Sequence, residues 1–208
     1  MIDAILFDLD GTLIDTEKHA LKAGLEAFSK MGHPRSVEFM HALVGVDLPT
    51  ASEIIAQALP GLDQDLLNDH WRKGYQASLD DGLLVKPDVR ELLTLKLRPM
   101  AIVTSSGREE AHHKLRLTGL DSHFDHIITL QDVTAPKPAP EPYLLAARLL
   151  GVAPSRCLVF EDSETGAQAA HLAGCIVVQV PDVVPSQGRW AHHLATSLMH
   201  GARLAGIV

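Results

Sequence analysis

The sequence is poor in cysteine, and it contains neither a long apolar run nor a cluster of basic residues. Its two cysteines, Cys157 and Cys175, both lie in apolar stretches, so we expect two buried thiols in a reducing cytoplasm rather than a disulfide framework. No stretch approaches the roughly 18 uninterrupted apolar residues that a membrane span needs, so no membrane partner is expected. The first residues, MIDAILFDLDG, include acids and lack a basic segment, so a signal peptide is not expected either.

The overall charge is acidic. Against 18 Lys and Arg residues stand 26 Asp and Glu residues, and the formal net charge is −8. Because no run of Lys and Arg is present, nucleic acid is not an expected partner. The 208 residues are 46% hydrophobic and 21% charged, which is ordinary for a globular protein, and they suffice for one α/β core with a small insertion. A monomer is expected, since the sequence indicates no long exposed apolar patch.

Five short runs are apolar without interruption, as expected of strands in a sheet that is covered on both faces. Single predicted helices lie between the later runs, and two of them end next to a glycine, which is a common stop signal. Strands that alternate with single helices indicate a doubly wound parallel sheet, as in Rossmann-like folds. The predicted strands are residues 4–9, 100–104, 127–130, 157–161 and 176–180, and the predicted helices are residues 111–117, 142–150, 167–173 and, at the C-terminus, 186–208.

The segment between the first two strands is too long for a simple crossover. Residues 15–85 contain no predicted strand, and apolar residues such as Val37, Met40 and Val44 recur there at helical spacing. We therefore predict an all-α helical-bundle cap at residues 15–85, inserted into an α/β core made of residues 1–14 and 86–208. Ligands of open α/β sheets bind at the carboxyl ends of the strands, so we expect the insertion to cover the site.

Acidic residues end the first predicted strand. Asp8 and Asp10 are two positions apart, so their side chains leave an extended strand on the same side. Two carboxylates that emerge together from an apolar strand need a positive partner, and a divalent cation such as Mg²⁺ meets that need. Gly11 follows and permits a tight turn with close approach of the backbone to a ligand. Taken alone, the motif also fits a helix cap.

The other predicted strand ends carry further polar groups. Thr104 and Ser105 end the second strand, Lys137 lies in the proline-rich segment that precedes the fourth strand, and Glu161 and Asp162 end the fourth. Each group alone could be a helix cap or part of a stiff linker. Because the carboxyl ends of parallel strands meet at one edge of the sheet, the groups together indicate a site for a metal-bound phosphate.

Four segments resemble, in the right order, the four motifs of the haloacid dehalogenase-like (HAD) hydrolase superfamily. They are FDLDGTL (7–13), VTSS (103–106), PKPAP (136–140) and VFEDSETG (159–166). The resemblance covers about residues 3–182, and the long insertion resembles the superfamily's type-one cap. The motifs resemble more narrowly the phosphoglycolate phosphatases, sugar-phosphate phosphatases and β-phosphoglucomutases. The resemblance thus implies a cytoplasmic phosphatase that acts on a small phosphorylated substrate.

The resemblance also implies a role for each motif residue. Asp8 would be the nucleophile that forms an aspartyl-phosphate, and Asp10 the general acid and base. The cofactor Mg²⁺ would be held by Asp8, Asp162 and the backbone carbonyl of Asp10, with Glu161 acting through water or as a weaker ligand. The phosphate-binding residues would be Asp8, Gly11, Thr104, Ser105 and Lys137, of which Thr104 and Lys137 would also assist catalysis.

Three alternatives to a phosphatase are considered. A true haloacid dehalogenase lacks the second aspartate of the first motif, so Asp10 argues against it. A β-phosphoglucomutase carries a histidine and an arginine in its cap, where an ungapped count places Ala20 and Leu48 in this chain, so a hydrolase is favoured. A binding protein on the same scaffold without activity is disfavoured because all four motifs are intact.

Overall fold

The described residues fold as a parallel-sheet unit and a helical unit. The computed structural model describes residues 1–43, 48–95 and 98–208. The sheet unit consists of Met1–Asp15 and Leu83–Val208, and the helical unit of Thr16–Gly82. Among the helices of the described part of the chain, none has the length and apolarity that a membrane span requires.

The strands and helices are numbered in chain order. The described residues contain six strands: β1 (Ala4–Phe7), β2 (Met100–Val103), β3 (His126–Ile128), β4 (Cys157–Glu161), β5 (Ile176–Gln179) and β6 (His193–Leu194). The same ranges contain nine α-helices: α1 (Glu17–Lys30), α2 (Val37–His41), α3 (Leu48–Ala58), α4 (Gln64–Asp80), α5 (Val89–Thr94), α6 (Arg108–Thr118), α7 (Glu141–Leu149), α8 (Glu164–Leu172) and α9 (Leu198–Leu204).

All strands are parallel, and their order across the sheet is β3-β2-β1-β4-β5-β6. From the central β1 the chain builds outward through β2 and β3, and it then crosses back to place β4 on the other side of β1. The topological switch point, where open α/β sheets bind ligands, therefore lies between β1 and β4. This order confirms the predicted doubly wound, Rossmann-like core.

Helices cover both faces of the sheet, which explains why the strands are apolar without alternation. Successive residues of β1 point to opposite faces. Ile5 and Phe7 pack with apolar residues of α5, α6 and α9, whereas Ala4 and Leu6 pack with those of α7 and α8. The ring of Phe7 stacks on that of Phe160 from β4, with 5.3 Å between the ring centroids.

The five predicted strands are all present, and four of them end one or two residues earlier than predicted. β1 ends at Phe7 rather than at residue 9, and β2 ends at Val103 rather than at residue 104. The residues after these ends are polar, and their side chains turn toward partners at the edge of the sheet. The apolar runs alone therefore overestimate the strands at the end that carries the site.

The predicted C-terminal helix over residues 186–208 is wrong in its first half. Residues 193–194 form β6, because the amides of His192 and Ala195 donate to the carbonyls of Val177 and Gln179, each at 2.8 Å. The helix α9 begins only at Leu198. Apolar residues at helical spacing indicate one continuous helix. In the structure, however, residues 192–195 form backbone hydrogen bonds with the strand β5 instead of helical ones.

The helical unit has its own apolar core, built from α1, α2, α3 and α4. Trp71 of α4 packs against this core, and its indole N–H donates to the carbonyl of Ala20 at 2.9 Å. Gly24 of α1 faces the same ring, and a Cβ at this position would lie 2.6 Å from it. Val44, part of the predicted helical pattern, lies outside the described residues, and the side chain of Leu48 is likewise not described.

Candidate active site

Three carboxylates meet where β1 and β4 end, at the switch point of the sheet. Asp8 directly follows β1, Glu161 is the last residue of β4, and Asp162 follows it. The strands are in register, with Phe7 opposite Phe160, so the acidic residues after them are neighbours. One oxygen from each carboxylate lies within 4.8 Å of the other two.

Lys137 lies among these carboxylates although it is distant in sequence. Its ammonium group donates to Asp8 Oδ1 at 2.8 Å, to Glu161 Oε1 at 2.6 Å and to the carbonyl of Val103 at 2.9 Å. An ammonium group carries three protons, so these three acceptors occupy all of its donors. Lys137 therefore links the ends of β1, β2 and β4.

Burial changes the proton affinities of this cluster. Loss of water disfavours the charged carboxylate and raises the pKa of Asp8 to about 7, and the nearby Lys137 offsets only part of that effect. Burial also pulls the pKa of Lys137 down, but the adjacent carboxylates of Asp8 and Glu161 outweigh it and hold that pKa above its usual value. Lys137 is therefore charged at any pH near neutrality.

The two carboxylate oxygens of Asp8 differ in their surroundings. Oδ1 accepts from Lys137, whereas Oδ2 is buried and has no hydrogen-bond partner among the described residues. Buried carboxylate oxygens without a partner are uncommon and call for an explanation. The Asp8 carboxylate also belongs, with those of Glu161 and Asp162, to a donor set made only of oxygens, which suits a hard divalent cation.

Two side chains that the sequence analysis did not select hold Glu161 in place. Tyr143 of α7 donates its hydroxyl to Glu161 Oε1 at 2.6 Å, and Ser163, which caps α8, donates to Oε2 at 3.1 Å. Burial, together with the charge of Glu161, raises the pKa of Tyr143 well above its usual value, so the hydroxyl keeps its proton. A buried tyrosine on an apolar helix face needs a hydrogen-bond partner for its hydroxyl. This rule could have indicated from the sequence that Tyr143 contacts a polar group.

Glycines let the acidic side chains lie directly against the backbone. Gly11 has a φ of +79°, and a Cβ at this position would be 2.2 Å from Asp162 Oδ2. Gly166, in the first turn of α8, is covered by Glu161, and a Cβ there would be 1.8 Å from Glu161 Oε1. The close approach expected at Gly11 is thus made by a carboxylate of the site itself.

The side chain of Asp10 has different partners from the other predicted metal ligands. Its Oδ1 accepts from Lys114 at 2.7 Å, and its Oδ2 accepts from Ser106 at 2.7 Å and from Thr104 at 3.4 Å. Asp10 is not a member of the three-carboxylate group described above. The predicted residues therefore form two neighbouring clusters, one around Asp8 and one around Asp10.

The two serines after Thr104 have different surroundings, and phosphate binding by Ser105 stays a prediction. Ser105 is exposed, whereas the next residue, Ser106, contacts Asp10, and its amide donates to the buried hydroxyl of Thr104 at 3.0 Å. Lys114 was also missed. It occupies the buried stripe of α6 together with Leu115, and a lysine in such a stripe was the signal that could have found it.

The hydrogen bond between Tyr143 and Glu161 gives a prediction about stability. We expect Tyr143→Phe to lower the free energy of unfolding by about 2 kcal/mol, because a buried bond to a charged acceptor is lost while the ring still fills its space. Thermal unfolding of the purified variant measures this. A variant as stable as the wild type would contradict the expectation.

The sequence matches the profile of the haloacid dehalogenase-like hydrolases over residues 5–180. It is 36% identical to the fructose-1-phosphate phosphatase YqaB of Escherichia coli (strain K12) over 182 residues, which cover 85% of this chain and 95% of that protein. It is 32% identical to a phosphorylated carbohydrates phosphatase of Thermotoga maritima over 179 residues, which cover 83% of this chain and 82% of that protein.

Solved structures share this fold. The crystal structure of a candidate β-phosphoglucomutase from Thermotoga maritima has a TM-score of 0.82 at 28% sequence identity, with 100% of both chains covered. A HAD family hydrolase from Deinococcus radiodurans R1, crystallised with bound phosphate and sodium, has a TM-score of 0.83 at 27% identity, with 99% of this chain and 96% of that chain covered.

Proposed function

Because this chain belongs to the haloacid dehalogenase-like hydrolase family, we propose that it is a Mg²⁺-dependent phosphatase that hydrolyses a small phosphate monoester through an aspartyl-phosphate. The observation that carries the proposal is Asp8, a buried carboxylate with one oxygen held by Lys137 and the other without a partner among the described residues. The named relatives act on fructose 1-phosphate and on phosphorylated carbohydrates, which supports a sugar phosphate as substrate. A phosphoglycolate-like acid is the second substrate class.

In the first step, Asp8 Oδ2 attacks phosphorus and the bond between phosphorus and the ester oxygen breaks. The leaving alcohol takes a proton from Asp10, and Asp8 becomes an aspartyl-phosphate. The hydrogen bond between Lys137 and Oδ1 supports the choice of Oδ2, since it fixes the carboxylate and leaves that oxygen for the attack.

In the second step, water attacks the phosphorus of the aspartyl-phosphate. Asp10, which lost its proton in the first step, takes a proton from this water, and inorganic phosphate and free Asp8 result. Thr104 lies beside Asp10, with 3.4 Å between its hydroxyl and Oδ2, and we assign it a role in orienting the phosphoryl oxygens. Lys137 adds positive charge near the transferred group.

Mg²⁺ is the proposed cofactor, and the residues present fit it. Asp8, Asp162 and the backbone carbonyl of Asp10 would hold the cation. Both oxygens of Glu161 already accept hydrogen bonds, so we assign Glu161 an indirect role. When bound, Mg²⁺ reduces the repulsion between the Asp8 carboxylate and the phosphate of the substrate and orients the transfer.

A phosphosugar mutase is the alternative, favoured by the structural likeness to the candidate β-phosphoglucomutase. Against it stand Ala20 and Leu48 at the cap positions where the mutase resemblance calls for histidine and arginine. The two functions differ in their products, because a mutase isomerises a hexose phosphate and releases no net phosphate. We also propose a cytoplasmic location, since Cys157 and Cys175 are both free.

The experiment that tests the proposal measures inorganic phosphate released from fructose 1-phosphate, phosphoglycolate, β-glucose 1-phosphate and p-nitrophenyl phosphate. We expect release from at least one of them with Mg²⁺, and a fall of at least about 100-fold with EDTA that excess Mg²⁺ reverses. Release that EDTA does not reduce would contradict the metal assignment. Conversion of β-glucose 1-phosphate into the 6-phosphate without phosphate release would favour the mutase.

A further inference from the structure

A buried lysine outside the four sequence motifs contacts the side chain of Asp10. Lys114 lies in the middle of α6, and its side chain is 1% exposed. Its ammonium group donates to Asp10 Oδ1 at 2.7 Å and to the hydroxyl of Ser106 at 3.0 Å, and it also forms an ion pair with Glu110. The lysine therefore joins α6 to Asp10, the third residue after the end of β1.

The surroundings of Lys114 are those of a core position. Its neighbours in the buried stripe of α6 are Ala111, Leu115 and Thr118. Taking an ammonium group out of water is costly, and an apolar side chain of similar length would fill the same space without that cost. The pair with Glu110 does not require burial, because residues four apart on a helix also pair well at the surface. The contacts with Asp10 and Ser106, in contrast, require Lys114 to point inward.

Both oxygens of the Asp10 carboxyl are held, each by a different side chain. Lys114 donates to Oδ1 and Ser106 donates to Oδ2, in each case at 2.7 Å. Lys114 and Ser106 also contact each other, so the three side chains form a closed triangle of hydrogen bonds. Such a triangle fixes the plane of the carboxyl group, which a single hydrogen bond does not.

We propose that Lys114, together with Ser106, is a positioning residue that orients Asp10 for proton transfer to the leaving group. The inference rests on the proposed function, in which Asp10 is the general acid. Lys114 acts through Asp10, whose carboxylate it contacts directly.

The proposal makes a distinction between leaving groups. An alkoxide is a poor leaving group and needs the proton from Asp10, whereas p-nitrophenolate leaves readily without one. We expect Lys114→Met to lower kcat/KM for an alkyl phosphate by about 100-fold, and for p-nitrophenyl phosphate by less than about 3-fold. The parameter kcat/KM is used because it reports the steps up to the release of the alcohol.

The experiment compares kcat/KM for p-nitrophenyl phosphate, phenyl phosphate and the best alkyl phosphate substrate of the wild type. The matched control is Arg116→Met, which removes a positive charge from the exposed face of the same helix. Arg116→Met is expected to leave all three values within about 2-fold. Asp10→Asn is the reference for a missing general acid, and Lys114→Met added to Asp10→Asn should not increase the dependence on leaving group further.

The outcomes separate the possible causes. A variant that is partly unfolded loses the same factor on every substrate, so an equal loss of kcat/KM for Lys114→Met on all three would overturn the proposal. If Lys114→Met does not fold, Ser106→Ala removes a different contact of Asp10 and should increase the dependence on leaving group in the same direction. No change with Ser106→Ala would then overturn it. A wild type that hydrolyses none of the three phosphates would instead contradict the proposed function.

Discussion

Replacing Asp8 with asparagine is expected to lower kcat by at least about three orders of magnitude on every phosphate monoester that the wild type hydrolyses. The amide has nearly the shape of the carboxylate, but it cannot form the aspartyl-phosphate. Asp8 Oδ2 is buried and has no hydrogen-bond partner among the described residues, which supports its assignment as the attacking oxygen. Rates of phosphate release at saturating substrate, with Mg²⁺, measure the loss.

The control for Asp8→Asn is its free energy of unfolding. We expect this free energy to rise in the variant although kcat falls. The pKa of Asp8 is raised to about 7 in the folded protein, from the ordinary value of 3.8. The folded protein therefore favours protonated Asp8. The stability that Asp8 contributes is fully present below about pH 4 and is lost as the pH rises through 7. At pH 8, in EDTA, we expect Asp8→Asn to be more stable than the wild type by about 2 kcal/mol, and at pH 4 the difference should nearly vanish.

Loss of activity in a protein that has become more stable has only a chemical explanation. If Asp8→Asn kept more than about a tenth of the wild-type kcat, Asp8 would not be the nucleophile. If the variant melted below the wild type at pH 8, the burial cost assigned to the Asp8 carboxylate would be wrong.

Lys137→Met is expected to have the largest effect on stability. The substitution removes the ammonium group that contacts both Asp8 and Glu161, and it leaves these carboxylates buried with their charges unbalanced. Breaking a buried ion pair on one side costs about 3–5 kcal/mol, which corresponds to a fall in Tm of roughly 10 °C for a chain of this size. The rate of phosphate release should fall as well, by about 100-fold or more. Thermal unfolding at pH 8 in EDTA measures the stability.

Two further variants show whether charge causes the loss. Lys73→Met removes an exposed lysine that pairs with Asp69, and its stability should stay within about 0.5 kcal/mol of the wild type. The double variant Asp8→Asn with Lys137→Met removes one buried charge of each sign and should recover about half of the loss. At pH 5, where Asp8 is largely protonated, Lys137→Met should cost less than at pH 8. A double variant as unstable as Lys137→Met would contradict this account.

The core of the fold could be predicted from the sequence because strand hydrophobicity determines it. Short apolar runs without alternation are possible only in a sheet covered on both faces, and single helices between them require parallel strands. From a parallel sheet it follows that polar residues at several strand ends lie near one another. This is why the sequence alone was enough to group Asp8, Lys137, Glu161 and Asp162.

The partners of these residues could not be predicted, because helix packing determines them. Tyr143 on α7 reaches Glu161, and Lys114 on α6 reaches Asp10, across distances that depend on how each helix lies on the sheet. The spacing of apolar residues within one helix shows which residues share a face. It does not show which strand or side chain packs against that face. That Ser106 contacts Asp10 depends on the turn after β2, which the sequence leaves open.

The C-terminal segment shows the limit of periodicity. The residues after β5 have apolar spacing that fits a helix, and Leu198 and Met199 are indeed buried in α9. His193 and Leu194, however, pair with β5, whose free edge offers hydrogen bonds that an isolated turn of helix does not. A strand of two residues leaves no recognisable pattern in the sequence.

The most direct test of the central claim is to trap the covalent intermediate on Asp8. The wild type is mixed with its best substrate and Mg²⁺, quenched and reduced with borohydride, which converts an aspartyl-phosphate into homoserine, and the peptides are then analysed by mass spectrometry. We expect homoserine at position 8, dependent on substrate, and none in Asp8→Asn treated in the same way. Phosphate release by an enzyme in which position 8 remains aspartate, with homoserine at another position, would contradict the account.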